Sequence, residues 1–287
     1  MTPVFILIGV LYFKITDYMP GLFSLLILAI LAVFLSTISA ISGLGGGIFL
    51  IPLMVLLFKL PLKYVAGTML LAMVPFTAVA TFQNIQNKYV NFRIGLLLQS
   101  GAIVGVLVGS HYTAVLPNFI LKILFISVVL YLLISLQVKD KSEFNLAALL
   151  FMIFNHLPPH ITIDDLPNKR ISLSAMVILG FLAGFFSGLL GIGGGFMIVP
   201  LFIVGMKLPA KIAVGTSLFM ILITSSVGAV HHAILDHIKY DLVFVLAVGM
   251  IIGAAIGASF LKRISEKRLR KVIFFILLVA VIGVILR

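Results

Sequence analysis

The chain contains no cysteine, so it can build no disulfide, no iron–sulfur cluster and no thiolate zinc site. Charge is scarce: 10% of residues are Asp, Glu, Lys or Arg, against roughly 25% in a soluble globular domain. Acid is scarcer still, at 8 Asp+Glu against 20 Lys+Arg. None of these carboxylates falls in the middle of a long apolar run, so the usual protonatable carrier of a proton-coupled pump is missing. The net charge of +12 does not point to nucleic acid, because the basic residues lie in short connections between apolar runs, where they set membrane orientation. Residues 1–13 are apolar with no Lys or Arg before them, and so lack the basic start of a secretory signal. About 12 apolar residues are also short for a span, and residues 1–20 are expected to form an interfacial or partly inserted apolar leader.

What is present is hydrophobic: 62% of the chain, with a mean hydropathy of +1.31. Several apolar runs reach the roughly 20 residues that cross a bilayer as a helix. The fold class is an all-α polytopic membrane protein of the cell membrane, with the lipid bilayer as its solvent.

One short pattern occurs twice. Gly43-Leu44-Gly45-Gly46-Gly47 leads to Pro52, and Gly191-Ile192-Gly193-Gly194-Gly195 leads to Pro200. The offset is 148 residues, and it also pairs Lys59-Leu60-Pro61 with Lys207-Leu208-Pro209, Lys63 with Lys211, and Gly67-Thr68 with Gly215-Thr216. Between residues 43 and 70, 13 of 28 positions are identical to their partners without a gap. Further on, Gly101, Gly105 and Gly109 pair with Gly249, Gly253 and Gly257. Their spacing lines one helical face and fits close helix packing. Three adjacent glycines cost about 1 kcal/mol each against alanine in a helix, so a helix breaks there.

Each copy is expected to hold five helices. A long one precedes the glycines (22–41 and 173–190) and a short one follows (48–58 and 196–206). A third (64–85 and 212–235), a fourth (92–112 and 240–261) and a fifth (119–136 and 269–286) complete it. The short helices reach only about 17 Å, well under a 30 Å hydrocarbon core. The chain thus divides into the leader 1–20, a first repeat 21–137, a cytoplasmic linker 138–171 with an interfacial helix near 144–157, and a second repeat 172–287. Equivalent loops carry opposite charge bias. Lys88 and Arg93 follow the third helix of the first copy, whereas Asp236, His237, Lys239 and Asp241 follow that of the second. Five crossings per copy produce such a reversal, and the expected architecture is an inverted repeat of two five-helix units with helices broken at the glycine motifs.

Irregular backbone at membrane depth persists only where it is buried in protein or lines a cavity, and matched broken helices point to a transporter's binding site. The starts of the short helices offer unpaired amides and a positive dipole end, which suits a small anion. The candidate substrate-binding residues are Gly45, Gly46, Gly47, Gly193, Gly194 and Gly195, with the hydroxyls of Thr68, Thr216, Ser42 and Ser187 as neutral donors. Each has a plainer reading: the glycines as close-packing residues, the hydroxyls as bonded to their own helix. Lys59, Lys63, Lys207 and Lys211 either attract an anion or snorkel to the interface. His231 and His232 could relay a proton, and with Asp236 they leave open a metal or cation permease or a membrane-embedded metal enzyme. No catalytic residue, metal site or cofactor is otherwise indicated, and assembly as a homodimer stays open.

Ser-Gly-Leu-Gly-Gly-Gly-x4-Pro from Ser42 to Pro52, the looser copy from Ser187 to Pro200, and the following Lys-Leu-Pro-x-Lys-x3-Gly-Thr resemble the TauE/SafE sulfite-exporter family of membrane permeases. The resemblance spans residues 21–287. It implies transport of a small sulfur-containing anion such as sulfite or an organosulfonate across the cytoplasmic membrane. Met69 follows the threonine of the first copy and Ser217 that of the second, so a site touched by this position is asymmetric.

Overall fold

The computed structural model describes residues 22–137, 146–162 and 170–260. The leader 1–20 and the expected helix at 269–286 lie outside the described residues. In chain order the helices are α1 (Leu22–Ser42), α2 (Gly47–Phe58), α3 (Leu62–Gln86), α4 (Phe92–Val115), α5 (Asn118–Gln137) and α6 (Leu146–Phe154). Two short strands follow, β1 (His160–Thr162) and β2 (Arg170–Ser172), paired antiparallel with Ile161 opposite Ile171. Then come α7 (Leu173–Leu190), α8 (Gly195–Pro200), α9 (Ala210–Ile234) and α10 (Tyr240–Phe260). Among the described residues, six helices are long and apolar enough to cross a membrane: α1, α3, α4, α7, α9 and α10.

Local chemistry sets the boundaries. Asn91 caps α4 by accepting from the Ile94 amide at 3.1 Å, and Ser172 caps α7 by accepting from the Ala175 amide at 3.0 Å. The amide of Leu62 at the start of α3 donates 2.8 Å to Asn118 Oδ1 from α5. Lys59 and Lys207 take left-handed backbone at matched positions, as do Lys88 and Asp236, so the turns of the two copies repeat. The short helices differ. α2 remains α-helical through Pro52, whereas α8 gives way after Pro200 to a π-helical turn, Leu201–Gly205, where Met206 N–H reaches back to Leu201 O at 2.9 Å. The second copy has Gly205, a weak helix former, where the first has Leu57. The single short helix expected at 196–206 is therefore two pieces.

Packing exchanges elements between the copies. α4 runs parallel to α7, and their backbones nearly touch. A Cβ on Gly101, Gly105 or Gly109 would fall 1.9, 2.1 and 2.1 Å from the carbonyl oxygens of Val177, Phe181 and Phe185. A Cβ on Gly180, Gly184 or Gly188 would meet those of Leu98, Ala102 and Val106 at 2.0, 2.1 and 2.2 Å. Helices in lipid gain no hydrophobic drive from associating, so close van der Waals packing and Cα–H···O contacts hold such a seam. α10 packs parallel on α1 in the same way, with Gly249, Gly253 and Gly257 against Ala29, Val33 and Thr37. That seam is looser because α1 has Ala32, Ser36 and Ala40 where α7 has glycines. At the centre α3 and α9 run antiparallel: Gly67 lies beside His232, and Gly228 beside Leu70. The outward faces carry apolar residues such as Ile30, Phe34, Val104, Ile234 and Phe244, as a lipid-facing surface requires. Ser36, Thr77, Thr113, Ser217 and Thr224 are buried inside.

The α4–α7 seam has no room for a side chain. Gly105→Ala forces a methyl group into the Phe181 carbonyl and should cost about 1–3 kcal/mol or more. Gly205→Ala, whose nearest neighbours are side-chain carbons at 3.3 Å, should melt close to the native protein. Thermal unfolding of both variants in detergent checks the contrast.

Candidate functional site

The helices break where the glycines stand. α1 ends at Ser42 and α2 begins at Gly47, while α7 ends at Leu190 and α8 begins at Gly195. Gly43 and Gly45 take φ of +71° and +84°, and Gly191, Gly193 and Gly194 take +74°, +86° and +74°, a region that side-chain-bearing residues avoid. Gly46 is the exception among the matched positions, with φ −64°.

The two breaks lie against each other in the protein interior, every residue buried. A Cβ on Gly47 would stand 2.2 Å from Gly191 O and 2.8 Å from Ile192 Cα. Reciprocally, one on Gly195 would stand 2.4 Å from Gly43 O and 2.7 Å from the Leu44 carbonyl carbon. The start of each short helix thus abuts the end of the other copy's long helix. Met73 and Ile221, matched residues of α3 and α9, both reach Gly45 and Gly193, and Met250 covers Gly46. Neither short helix has a side-chain cap, since Gly46 and Gly194 have none to give. The structure therefore brings Gly45, Gly46, Gly47, Gly193, Gly194 and Gly195 into one buried centre.

The hydroxyls separate into two groups. Thr68 Oγ1 donates to Tyr64 O at 2.6 Å and accepts from the Lys239 amide at 3.0 Å. Thr216 Oγ1 accepts from the Asn91 amide at 2.9 Å. Asn91 and Lys239 are themselves matched by the repeat, so each threonine ties one copy's third helix to the start of the other copy's fourth. Ser42 Oγ turns back to Ser39 O at 3.2 Å. Ser217 donates 2.9 Å to Gly43 O, a bond that Met69 cannot make in the first copy. The break is asymmetric at that point.

Ser187 is different. It is fully buried one turn before the second break, and among the described residues its hydroxyl has no hydrogen-bond partner. Its repeat partner is Ser39, also fully buried and without a partner among the described residues, one turn before the first break. The carbonyls of these two serines receive the first amides of the breaks, Gly43 N–H and Gly191 N–H, each at 2.9 Å. Ser36 and Ser110, buried in the same helical bundle, instead bond to their own helices. A buried hydroxyl left unpaired costs about 1–3 kcal/mol. Subtracting the repeat offset from Ser187 points to Ser39 rather than to Ser42. Gln99, in the first half of α4, is a further buried polar residue that the motifs do not mark, with 2% exposure and neither amide atom partnered among the described residues.

The histidines face different ways. His232 is buried, and its Nε2 donates to Gly188 O at 2.9 Å. His231 instead lines an outer groove of about 340 Å³ with Leu107, Ser226, Val227, Val230 and Ile234, away from the breaks. Among the described residues no group of three or more His, Asp or Glu is placed to hold a metal ion.

These features define a multi-pass helical membrane protein whose two copies meet at paired helix breaks. A family model described as Sulfite exporter TauE/SafE matches residues 28–284, and the chain belongs to that family of membrane transporters. It is 28% identical over 248 residues to "Probable membrane transporter protein YunE" of Bacillus subtilis, covering 82% of this chain and 88% of that one. It is 26% identical over 257 residues to "Probable membrane transporter protein MJ0441" of Methanocaldococcus jannaschii, covering 84% and 86%. No solved structure matches the chain.

Ser39→Ala and Ser187→Ala remove hydroxyls without partners and should leave the melting temperature unchanged or raise it. Thr113→Val removes a hydroxyl within reach of the carbonyls of Gly109, Gly188 and Leu189 and should cost about 1–3 kcal/mol. Detergent melting curves of the three variants compare them directly.

Proposed function

We propose that the protein exports a small sulfur-containing anion, sulfite or an organosulfonate, by alternating access around the paired breaks. The observation that carries this reading is the pair of matched, buried and unpartnered hydroxyls, Ser39 and Ser187, beside two helix starts that lack caps. Such groups are neutral donors in a low-dielectric interior, and an oxyanion with several acceptors satisfies them. The glycines admit it to the backbone. Thr68 and Thr216 assist as ligand contacts when the bonds that now engage them part. His231 and His232 are the available proton relay.

The antiparallel course of α3 and α9 and the exchange of matched contacts support an inverted repeat. The end bearing Lys88, Arg93, Lys207 and Lys211 is then cytoplasmic by its basic charge. Because α4 is bound to α7 and α10 to α1, the two bundles that rock about the breaks are these seam pairs rather than the sequence halves 21–137 and 172–287, with 138–171 as the linker. Met73, Met250 and Ile221 close the centre in this conformation, and flexible thioethers are suited to moving aside. An anion of charge −1 gains about 2.3 kcal/mol per 100 mV on leaving a negative interior, so the membrane potential alone drives export without a carboxylate.

The test is flux of radiolabelled sulfite and of sulfonates from proteoliposomes under an imposed potential. Interior-negative potential should speed efflux. Gly46→Val and Gly194→Val should abolish it, and Ser39→Ala with Ser187→Ala should lower it roughly ten-fold or more, as the loss of hydrogen bonds to a charge predicts. Efflux indifferent to the potential and to all four substitutions would refute the mechanism.

A further inference from the structure

The end of the bundle where α3 begins and α9 ends holds a second group of side chains, outside the breaks. Lys63 Nζ and Lys239 Nζ each lie 5.1 Å from the centroid of the Tyr64 ring. The two ammonium groups are therefore within about 10 Å of each other, both in cation–π reach of one aromatic ring. The His237 ring meets Tyr64 edge-on at 5.8 Å. His237 is 6% exposed, and its Nδ1 has no partner among the described residues.

We propose that this mouth is a binding site for an oxyanion, separate from the breaks, formed by the ammonium groups of Lys63 and Lys239 with the His237 imidazole as a buried hydrogen-bonding group around Tyr64. The cluster is fixed by backbone bonds. Lys239 N–H donates to Thr68 Oγ1, Thr68 in turn to Tyr64 O, and His237 N–H to His232 O at 2.9 Å. Its parts arrive already placed, so an anion orders little on binding. Burial, and then the nearby Lys63 charge, hold the imidazole's proton affinity below its ordinary value, so His237 is a neutral donor near neutral pH. Asp236 is exposed beside it and acts in the opposite sense. The other titratable groups at this end include His231 and His232 on α9, Tyr240 and Asp241 on α10, Lys59 before α3, Lys122 on α5, and His111, which acts on His231, with Tyr112 on α4.

The opposite mouth argues that these residues are not mere scaffold. The repeat places Lys211 at the position of Lys63, but Ile212 at that of Tyr64, Tyr89 at that of His237 and Asn91 at that of Lys239. A single ammonium, Lys211, approaches the Tyr89 ring there at 5.6 Å. The turns and the threonine bonds are preserved at both ends, and the opposite end has basic residues of its own in Lys88 and Arg93, but two ammonium groups on one aromatic ring beside an imidazole are found at this end.

Inorganic sulfate serves as the probe, titrated by calorimetry into the full-length protein in detergent, with Lys63→Gln, Lys239→Gln, His237→Gln and Lys211→Gln. Sulfate should bind the native protein and the Lys211 variant equally. It should bind each of the other three at least several-fold more weakly, with melting temperatures near native marking them as folded. In proteoliposomes the same three variants should raise the KM for sulfite taken up from this face, the reverse of export, and leave the maximal uptake rate unchanged. Sulfate binding that is absent from the native protein, or equal in all four variants, overturns the proposal even if sulfite is carried. Loss of binding in the three variants alone, in a protein that carries no sulfite, upholds this site and removes the cargo reading instead.

Discussion

Backbone that leaves a helix inside a membrane has to be covered by protein, and here each break is covered by the other. Gly47 rests on Gly191 and Ile192, Gly195 rests on Gly43 and Leu44, and side chains from α3 and α9 close the gap. Neither copy satisfies this requirement alone, because an isolated broken helix would expose unpaired amides and carbonyls to lipid. The duplication is therefore a condition of the fold. The same dependence explains the exchange of helices, with α4 of the first copy bound to α7 of the second and α10 of the second to α1 of the first. The breaks therefore cannot part along the boundary between the copies without breaking the glycine seams, which tie each long helix before a break to the other copy's fourth helix.

Much of this was legible in the residues. The bounds of α7 fall where the sequence puts them, because Ser172 and Gly191 are unambiguous start and stop signals. The helix breaks follow from backbone chemistry that needs no tertiary information. Glycine spacing foretold close packing, although the face that Gly101, Gly105 and Gly109 meet, with its own glycines at 180, 184 and 188, is found only in three dimensions. The π-helical turn after Pro200 was not legible, since Pro52 in the same setting leaves α2 regular. Hydroxyls were the hardest to read. Sequence shows that Thr68 can donate, but not that the Lys239 amide lies 3.0 Å away to receive its lone pair. For Ser39 the repeat offset from Ser187 is the signal, whereas Ser42 is merely nearer the glycines in sequence.

The two copies differ where chemistry enters. Ser217 restrains Gly43 O, with Met69 at the matched place; His232 stands opposite Asn84, His237 opposite Tyr89, and Gln99 opposite Ala247. The net direction of flux is set by the ion's gradient and the membrane potential, while different groups at the two ends let an ion be held with different affinity at each face. The substitutions accumulate at the ends of α3 and α9 and along α4.

The closed centre follows from the same logic. With the breaks in backbone contact, a ligand among them would have to displace Met73, Ile221 or Met250, which approach the glycines closely enough to prevent even a methyl group. An occluded, unliganded centre is what a carrier needs when it returns empty, because an open glycine-lined cavity would let water and small ions leak. On the anion reading, the hydroxyls of Ser39 and Ser187, without a partner among the described residues, carry a desolvation penalty in the empty form that a bound anion relieves, so the relief contributes to binding. A carrier driven by the potential alone must also return empty, and the burial of the two breaks against each other keeps that return step dry. The buried polar groups that make the resting protein less stable are thus, on the same reading, the ones that favour the loaded form.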